Sequence, residues 1–430
     1  MTDINTNIKE INNFTRQISV NVPWEELKEE FQNNVNEVRK SFSFPGYRKG
    51  KVPMNIVKKN IGPKIEFEFG DKMINKYYYK SLTDLKLIPI NQAKIEDLSF
   101  SEGNNLVFTA TFEITPKVTL PGYEKKFKIN STKYTSTDVD IENELKKYQE
   151  QFSTVKEVET GAKKGHYVQG DFQELDENGI AIIGKKLENR YIQLGDGAFG
   201  GDVLTALKGT KAGETVKISP KYDDSEICYE VTIHKIEEQI LPKLDDDFAK
   251  TVDASLKTLN ELKDKVKANI DQELDNEYKK QIRQLISDYF VTKSTADVPV
   301  SMKEHYLNGV IDDVKKQNHN QEKLDDTEIR KAYDKIADWN IKWHLIREEL
   351  LKKEAIEITE NDIKNMIDEV AEKNPDQAVN IKKFYKSAEN KNRIKEDLSD
   401  DKLYEKLITF ATIKTNTKTM DELRKEQKKS

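Results

Sequence analysis

Eleven of the chain's 18 glycines fall between Gly161 and Gly213, and only Gly309 follows Leu241. Glycine reaches positive φ freely but costs about 1 kcal/mol in a helix interior, so this skew limits what each stretch can become. Residues 157 to 238 read as short strands between tight turns: Tyr167 to Leu175, Arg190 to Leu194, Thr215 to Ser219 and Cys228 to Ile236. Beyond Leu241-Pro242 the pattern turns helical. Leu256, Leu259, Leu262, Val266, Ile270 and Leu274 recur at spacings of three and four. So do Ile329, Tyr333, Ile336, Trp339, Trp343, Ile346 and Leu350, and each set marks one apolar helix face. Asn318 to Thr327 reads as a polar loop, and Thr417 to Ser430 as a polar, frayed tail.

The first hundred residues mix the two periods. Ile18, Val20 and Val22 alternate with polar neighbours, as in a half-buried strand. Pro23 suits a helix start, and Trp24, Leu27, Phe31, Val35, Val38 and Phe42 then make a helical face. Pro53 opens a short helical stretch through Lys59, and a separate helix is expected from 63 to 85. Strands follow at Ile88 to Leu98 and Leu106 to Ile114, joined by a turn at Ser101 to Asn104. Pro116, Pro121 and Gly122 mark a linker, and Thr137 caps a helix from about 137 to 152. The expected organisation is α+β, multidomain and elongated. It comprises an α+β domain (1–116), a linker with a helix (117–156), a small β-rich domain (157–239) and an all-α region (240–430). A length of 430 residues suits about three domains at ~150 residues each.

Composition removes several function classes. With 71 basic and 77 acidic residues the net charge is −6, without the basic excess of a general nucleic-acid binder. The single cysteine, Cys228, excludes an internal disulfide and a cysteine zinc site, and reads as a buried, inert thiol in a strand. His166, His234, His305, His319 and His344 are dispersed, without metal-ligand spacing. Gly195 to Gly200 lacks the Lys-Ser/Thr of a phosphate-binding loop, and Asp245 to Asp247 reads as a helix cap. No metal or cofactor is expected. The N-terminus has no basic and apolar leader, and no apolar run is long enough to span a bilayer. The expected location is the cytoplasm, with no membrane partner.

One segment concentrates unusual chemistry: Phe44-Pro45-Gly46-Tyr47-Arg48-Lys49-Gly50-Lys51-Val52-Pro53. Three cations fall within four residues, beside an aromatic ring and between two glycines and two prolines. Arginine pairs bidentately with phosphates and carboxylates, and lysine adds a point charge. By composition alone this is either a solvated turn or a docking loop for an anionic surface. Gly46 to Pro53 resembles the ribosome-binding signature of trigger factors, Gly-Phe-Arg-Lys-Gly-Lys-Val-Pro, departing only at Tyr47. The segment order agrees, and Leu241 to Lys250 resembles that family's entry into its C-terminal domain. The resemblance implies docking on the large ribosomal subunit near the tunnel exit, on protein and rRNA, and binding of nascent and unfolded polypeptides. It assigns contact to Tyr47, Arg48 and Lys49, with Gly46, Gly50, Lys51 and Pro53 shaping the loop. It also implies a C-terminal domain with arms and a homodimer off the ribosome.

Leu207-Lys208-Gly209-Thr210-Lys211-Ala212-Gly213-Glu214 is similar to a turn of the FKBP-type prolyl isomerase domain that the same family carries. That site implies an apolar, aromatic pocket. The expected aromatic-Asp pair is absent around Asn178 to Gly184, Phe199-Gly200-Gly201-Asp202-Val203 replaces an Ile-Pro-Gly-Phe segment, and the flap at Lys221 to Glu226 is short. Tyr191, Phe199 and Tyr222 are the remnant pocket candidates, although such residues more often serve as core or surface. No catalytic residue is assigned, and isomerase activity is expected to be weak or absent. The alternatives are a trigger factor with an active isomerase, or a holdase of the periplasmic type. Client-binding candidates in the helical region are Phe290, Val298, Val300, Met302, Tyr306, Trp339 and Trp343. Their apolar stripes are also what helix packing alone requires.

Overall fold

Alternation at Ile18, Val20 and Val22 builds a four-stranded antiparallel sheet in the computed structural model, which describes residues 4–195, 197–222, 225–317 and 325–427. Strands β1 (Asn5–Glu10), β2 (Thr15–Val22), β3 (Lys94–Ser99) and β4 (Leu106–Glu113) lie in the order β1-β2-β4-β3. Ile18 faces Ala110 and Val20 faces Phe108, so the apolar alternation of both strands falls on one side. Helices α1 (Trp24–Ser41) and α2 (Met54–Leu85) cover that side. Leu27, Phe31 and Val35 from α1 meet Ile65, Phe69 and Met73 from α2 in the core, with Phe31 edge-on to Phe69 at 5.1 Å. The expected break before Pro63 does not occur: α2 is one helix of 32 residues with Pro63 inside it. Proline forfeits one backbone bond there, but buried Val57 on one side and Ile65 and Phe69 on the other hold both halves against the core.

Packing divides the chain into two units, residues 1–130 with 282–414 and residues 131–281 with 415–430. After β5 (Phe127–Thr135), the second unit contains α3 (Asp138–Gln151), where Thr137 donates its N–H to Asp140 Oδ2 at 2.8 Å in a capping box. Strands β6 (Thr154–Glu157), β7 (Tyr167–Leu175) and β8 (Ala181–Gln193) follow, then α4 (Gly201–Leu207), β9 (Thr215–Ile218), β10 (Lys221–Tyr222), β11 (Ser225–Glu226) and β12 (Tyr229–Ile240). The sheet order is β6-β12-β7-β8, with β9 also on β12. Val203 and Leu207 of α4 pack on Val168, Phe172, Val231 and Ile233 of the sheet. Strand β8 begins nine residues before the expected Arg190. It is an edge strand bonded to β7 alone, so most of it is exposed and it carries no clear apolar alternation. Cys228 precedes β12 and is half-buried rather than buried. Asp245 caps α5 (Asp246–Val252) by accepting the Phe248 N–H at 3.0 Å. Helix α6 (Leu259–Lys293) follows, and its Leu262 and Val266 share a small core with Leu145 and Phe248.

Helices α7 (Val300–Gln317), α8 (Asp326–Lys353), α9 (Glu360–Lys373), α10 (Ala378–Phe384) and α11 (Ala388–Phe410) belong to the first unit. Residues 318–324 of the expected loop, His319 among them, lie outside the described residues. Helix α8 buries Ile329, Ala337, Ile341, Leu345, Ile346 and Leu350. That face is rotated from the expected stripe, and Ile336 is 48% exposed. Tyr123 is fully buried and donates its hydroxyl proton to Glu354, with the rings of Phe290 and Phe410 edge-on to it. Of the tail expected to fray, Thr417 to Gln427 instead completes β13 (Ala411–Thr419), paired with β5, and forms α12 (Met420–Gln427), while residues 428–430 lie outside the described residues. An ion pair from Arg424 to the buried Asp140 accounts for its order.

Candidate functional site

The basic segment connects α1 to α2. Helix α1 ends at Ser41, where the Phe42 N–H still bonds to the Val38 carbonyl. Two turns then build the loop: Tyr47 N–H donates to Phe44 O at 3.1 Å, and Lys51 N–H donates to Arg48 O at 2.9 Å. Each carries at its third position a glycine in the left-handed region, Gly46 at φ +86 and Gly50 at φ +77. The rings of Phe42 and Phe44 stack at 6.3 Å, and Phe44 meets Tyr47 at 6.4 Å. Val52 is fully buried and ties the returning limb to the core. Pro53 then caps α2 with its φ of −58.

The loop's polar side chains point the other way. Tyr47, Arg48, Lys49 and Lys51 are exposed, and among the described residues none of the three cations forms an ion pair. The sequence brings four functional groups to one side of a short turn while Val52 and the phenylalanines anchor the other. The arrangement can offer a guanidinium, two ammonium groups and an aromatic face to a surface of phosphates or carboxylates.

The client-binding candidates divide. Phe290 is excluded from any surface role: it is fully buried, packed edge-on against Tyr123 and Phe127, because the linker folds back onto α6 there. Val300 is exposed and Val298 half-buried. Met302 and Tyr306 line a cavity of about 380 Å³ between α7 and α8, together with Ile90, His305, Asn340, Ile341 and His344. Asn340 Nδ2 donates to the Tyr306 hydroxyl oxygen at 3.0 Å across it. An opening of about 820 Å³ shares Ile90, Met302 and His344 and adds Thr115 to Thr119, Glu348 and Glu349. Glu113 positions these walls by accepting the Ser301 N–H at 3.0 Å at the start of α7. Trp339 donates its indole N–H to Asp288 at 2.9 Å, and Trp343 stacks on Tyr404 at 6.0 Å, so both are partly committed to packing. Sequence reasoning missed Ile90, His305, Asn340 and His344. The available signal was helical spacing: His305 sits three residues after Met302, and His344 four after Asn340, at the border of the apolar stripe.

The remnant pocket candidates take separate partners. Tyr191 is exposed on β8 and stacks on Tyr167 at 5.4 Å. Phe199 is half-buried against the core around Val203. Tyr222 lies in β10, and its side chain is outside the described set, as are flap residues 223 and 224. Nearby, His234 Nε2 lies 3.0 Å from Asp171, whose carboxyl is held well below the usual range by Lys186, the Asn189 N–H and His234. Among the described residues no three His, Cys, Asp or Glu side chains gather as metal ligands, and no helix is long and apolar enough to cross a membrane.

Two family models match the chain: the bacterial trigger factor protein over residues 4–148 and the bacterial trigger factor C-terminus over residues 258–409. The trigger factor of Chlorobaculum tepidum is 27% identical over 414 residues, covering 95% of this chain and 97% of that protein. That of a Geobacillus species is 28% identical, covering 91% and 95%. A solved trigger factor chaperone, described for promiscuous substrate recognition in folding and assembly, aligns with a TM-score of 0.54 at 18% identity. It covers 94% of this chain and 99% of its own.

Proposed function

The chain belongs to the trigger factor family, and from that premise we propose that it docks on the ribosome through Phe44 to Pro53 and holds nascent or unfolded polypeptides. The observation that carries docking is the loop itself: Tyr47, Arg48, Lys49 and Lys51 are exposed, the three cations form no ion pair among the described residues, and buried Val52 anchors the opposite side of the turn. A surface turn whose cations were only solvated would not need an aromatic ladder and a buried valine to shape it. The partner is the large ribosomal subunit near the tunnel exit, through ribosomal protein and rRNA. A homodimer off the ribosome and a cytoplasmic location belong to the same reading.

Polypeptide holding is supported by the cavities beside α7 and α8, where Met302, Tyr306 and Ile341 offer apolar contact and His305, Asn340 and His344 offer hydrogen bonds. An open groove with mixed lining suits varied extended segments better than one fixed ligand. Prolyl isomerase activity is weak or absent in this reading, because Tyr191 and Phe199 are engaged with different neighbours rather than forming one apolar pocket.

Co-sedimentation with ribosomes tests the docking. The wild-type chain is expected in the ribosomal pellet and to leave it as salt rises, since exposed charges are screened. Replacement of Tyr47, Arg48 and Lys49 together by alanine is expected to abolish pelleting without changing the fold. Undiminished pelleting of that variant refutes the reading.

A further inference from the structure

Arg39 differs from the other cations near the docking loop. It sits in the last turn of α1, half-buried, and its Nε donates to the carbonyl oxygen of Val52 at 2.8 Å. Among the described residues no carboxylate lies within ion-pairing distance of it. Its hydrogen bond is therefore spent on the backbone of a residue that is itself fully buried, at the point where the loop rejoins the domain. The backbone of the next residue also passes close to the loop: the Lys40 carbonyl oxygen would lie 3.3 Å from a Cβ placed on Gly50, so a side chain there would be crowded. The last turn of α1 thus bonds to both limbs of the loop, the outgoing one at Phe42 and the returning one at Val52.

We propose that Arg39 is a positioning residue for ribosome docking: its bond to the Val52 carbonyl holds Tyr47, Arg48 and Lys49 in one presented conformation before the surface is met. The inference rests on the docking reading above. A loop of this length with two glycines would otherwise lose conformational freedom on binding, and that loss would weaken the complex. Arginine suits the task because its planar donor is always charged and bonds strongly to a carbonyl. Lysine keeps the charge but ends in a freely rotating ammonium on a longer path to the same oxygen.

The experiment uses the full chain and intact ribosomes, with Arg39→Met, Arg39→Lys and the loop triple-alanine variant. Amide exchange in the free protein is read at Tyr47 and Lys51, whose N–H groups close the two loop turns. In Arg39→Met those two amides are expected to exchange about tenfold faster, with β2 and β4 unchanged, and ribosome affinity to fall about tenfold. Arg39→Lys is expected to keep the wild-type salt dependence yet recover only part of that affinity. Full recovery by Arg39→Lys overturns the proposal, because charge alone would then suffice. Faster exchange throughout the sheet in Arg39→Met also overturns it, because the residue would then serve the whole domain. If the triple-alanine variant loses the ribosome while Arg39→Met binds normally, only the positioning role fails. If the wild type does not bind, or the triple variant does, the docking reading fails first.

Discussion

Gly46 and Gly50 share a backbone conformation but not an environment, and that difference predicts unequal effects of the same substitution. Both are left-handed, at φ +86 and +77. A Cβ at Gly46 meets nothing within 4 Å, whereas one at Gly50 lies 3.3 Å from the Lys40 carbonyl oxygen. An L-residue in this region costs about 1–2 kcal/mol. Alanine returns about 0.4–1 kcal/mol of that by restricting the unfolded chain. Gly46→Ala should therefore cost about 1 kcal/mol. Gly50→Ala adds a backbone contact that no side-chain rotation relieves, so about 2 kcal/mol is expected, within the usual range for overpacking. Urea unfolding of the two variants measures the difference directly. If the loop yields locally instead of weakening the domain, the same energies appear as lost ribosome affinity, about fivefold for Gly46→Ala and up to about thirtyfold for Gly50→Ala. Equal effects in both assays, or a larger effect at Gly46, would refute the account of the loop as held by the last turn of α1.

Two further outcomes follow from the caps and the tail. The Asp362 carboxyl is pulled down to about 2 by the Thr359 N–H, the Thr359 hydroxyl and then Lys402, against 3.8 ordinarily. A depressed folded value means that this cap stabilises α9 above about pH 4 and loses that contribution as pH falls toward 2. Urea unfolding at pH 5 and pH 2.5 should show the gap between wild type and Asp362→Asn shrinking at the lower pH, and a constant gap contradicts it. Arg424→Met leaves the Asp140 carboxylate with only its Thr137 bonds, and Arg424 is about a third exposed, so a cost of about 1–2 kcal/mol is expected. Deuterium uptake across residues 411 to 427 should rise, and unchanged uptake there rules the ion pair out as the tail's anchor.

Where local chemistry decides structure, the residues alone were sufficient. Alternation at Ile18 to Val22, the start of α1 after Pro23, the Thr137 and Asp245 caps and the span of β7 each depend on a few neighbouring side chains. The basic loop was legible for the same reason: its glycines, prolines and cations are contiguous. The errors arose where distant residues overruled a local rule. The sequence reads as two helical stretches, ending at Lys59 and resuming at 63, but buried residues on both sides keep α2 whole. Polar composition predicts a frayed tail, but β5 and Asp140 lie where β13 and α12 can use them. Periodicity marks Phe290 as apolar without saying whether it faces a client or Tyr123.

The sequence by itself determined that Gly46 to Pro53 is a cationic turn between two helices, because turn chemistry and charge are carried by adjacent residues. Only the tertiary structure decided that Arg39 and Val52, thirteen residues apart, close that turn, and that segments 1–130 and 282–414 pack as one unit with a cavity between α7 and α8. Such contacts are set by the path of the whole chain, and no local pattern records them.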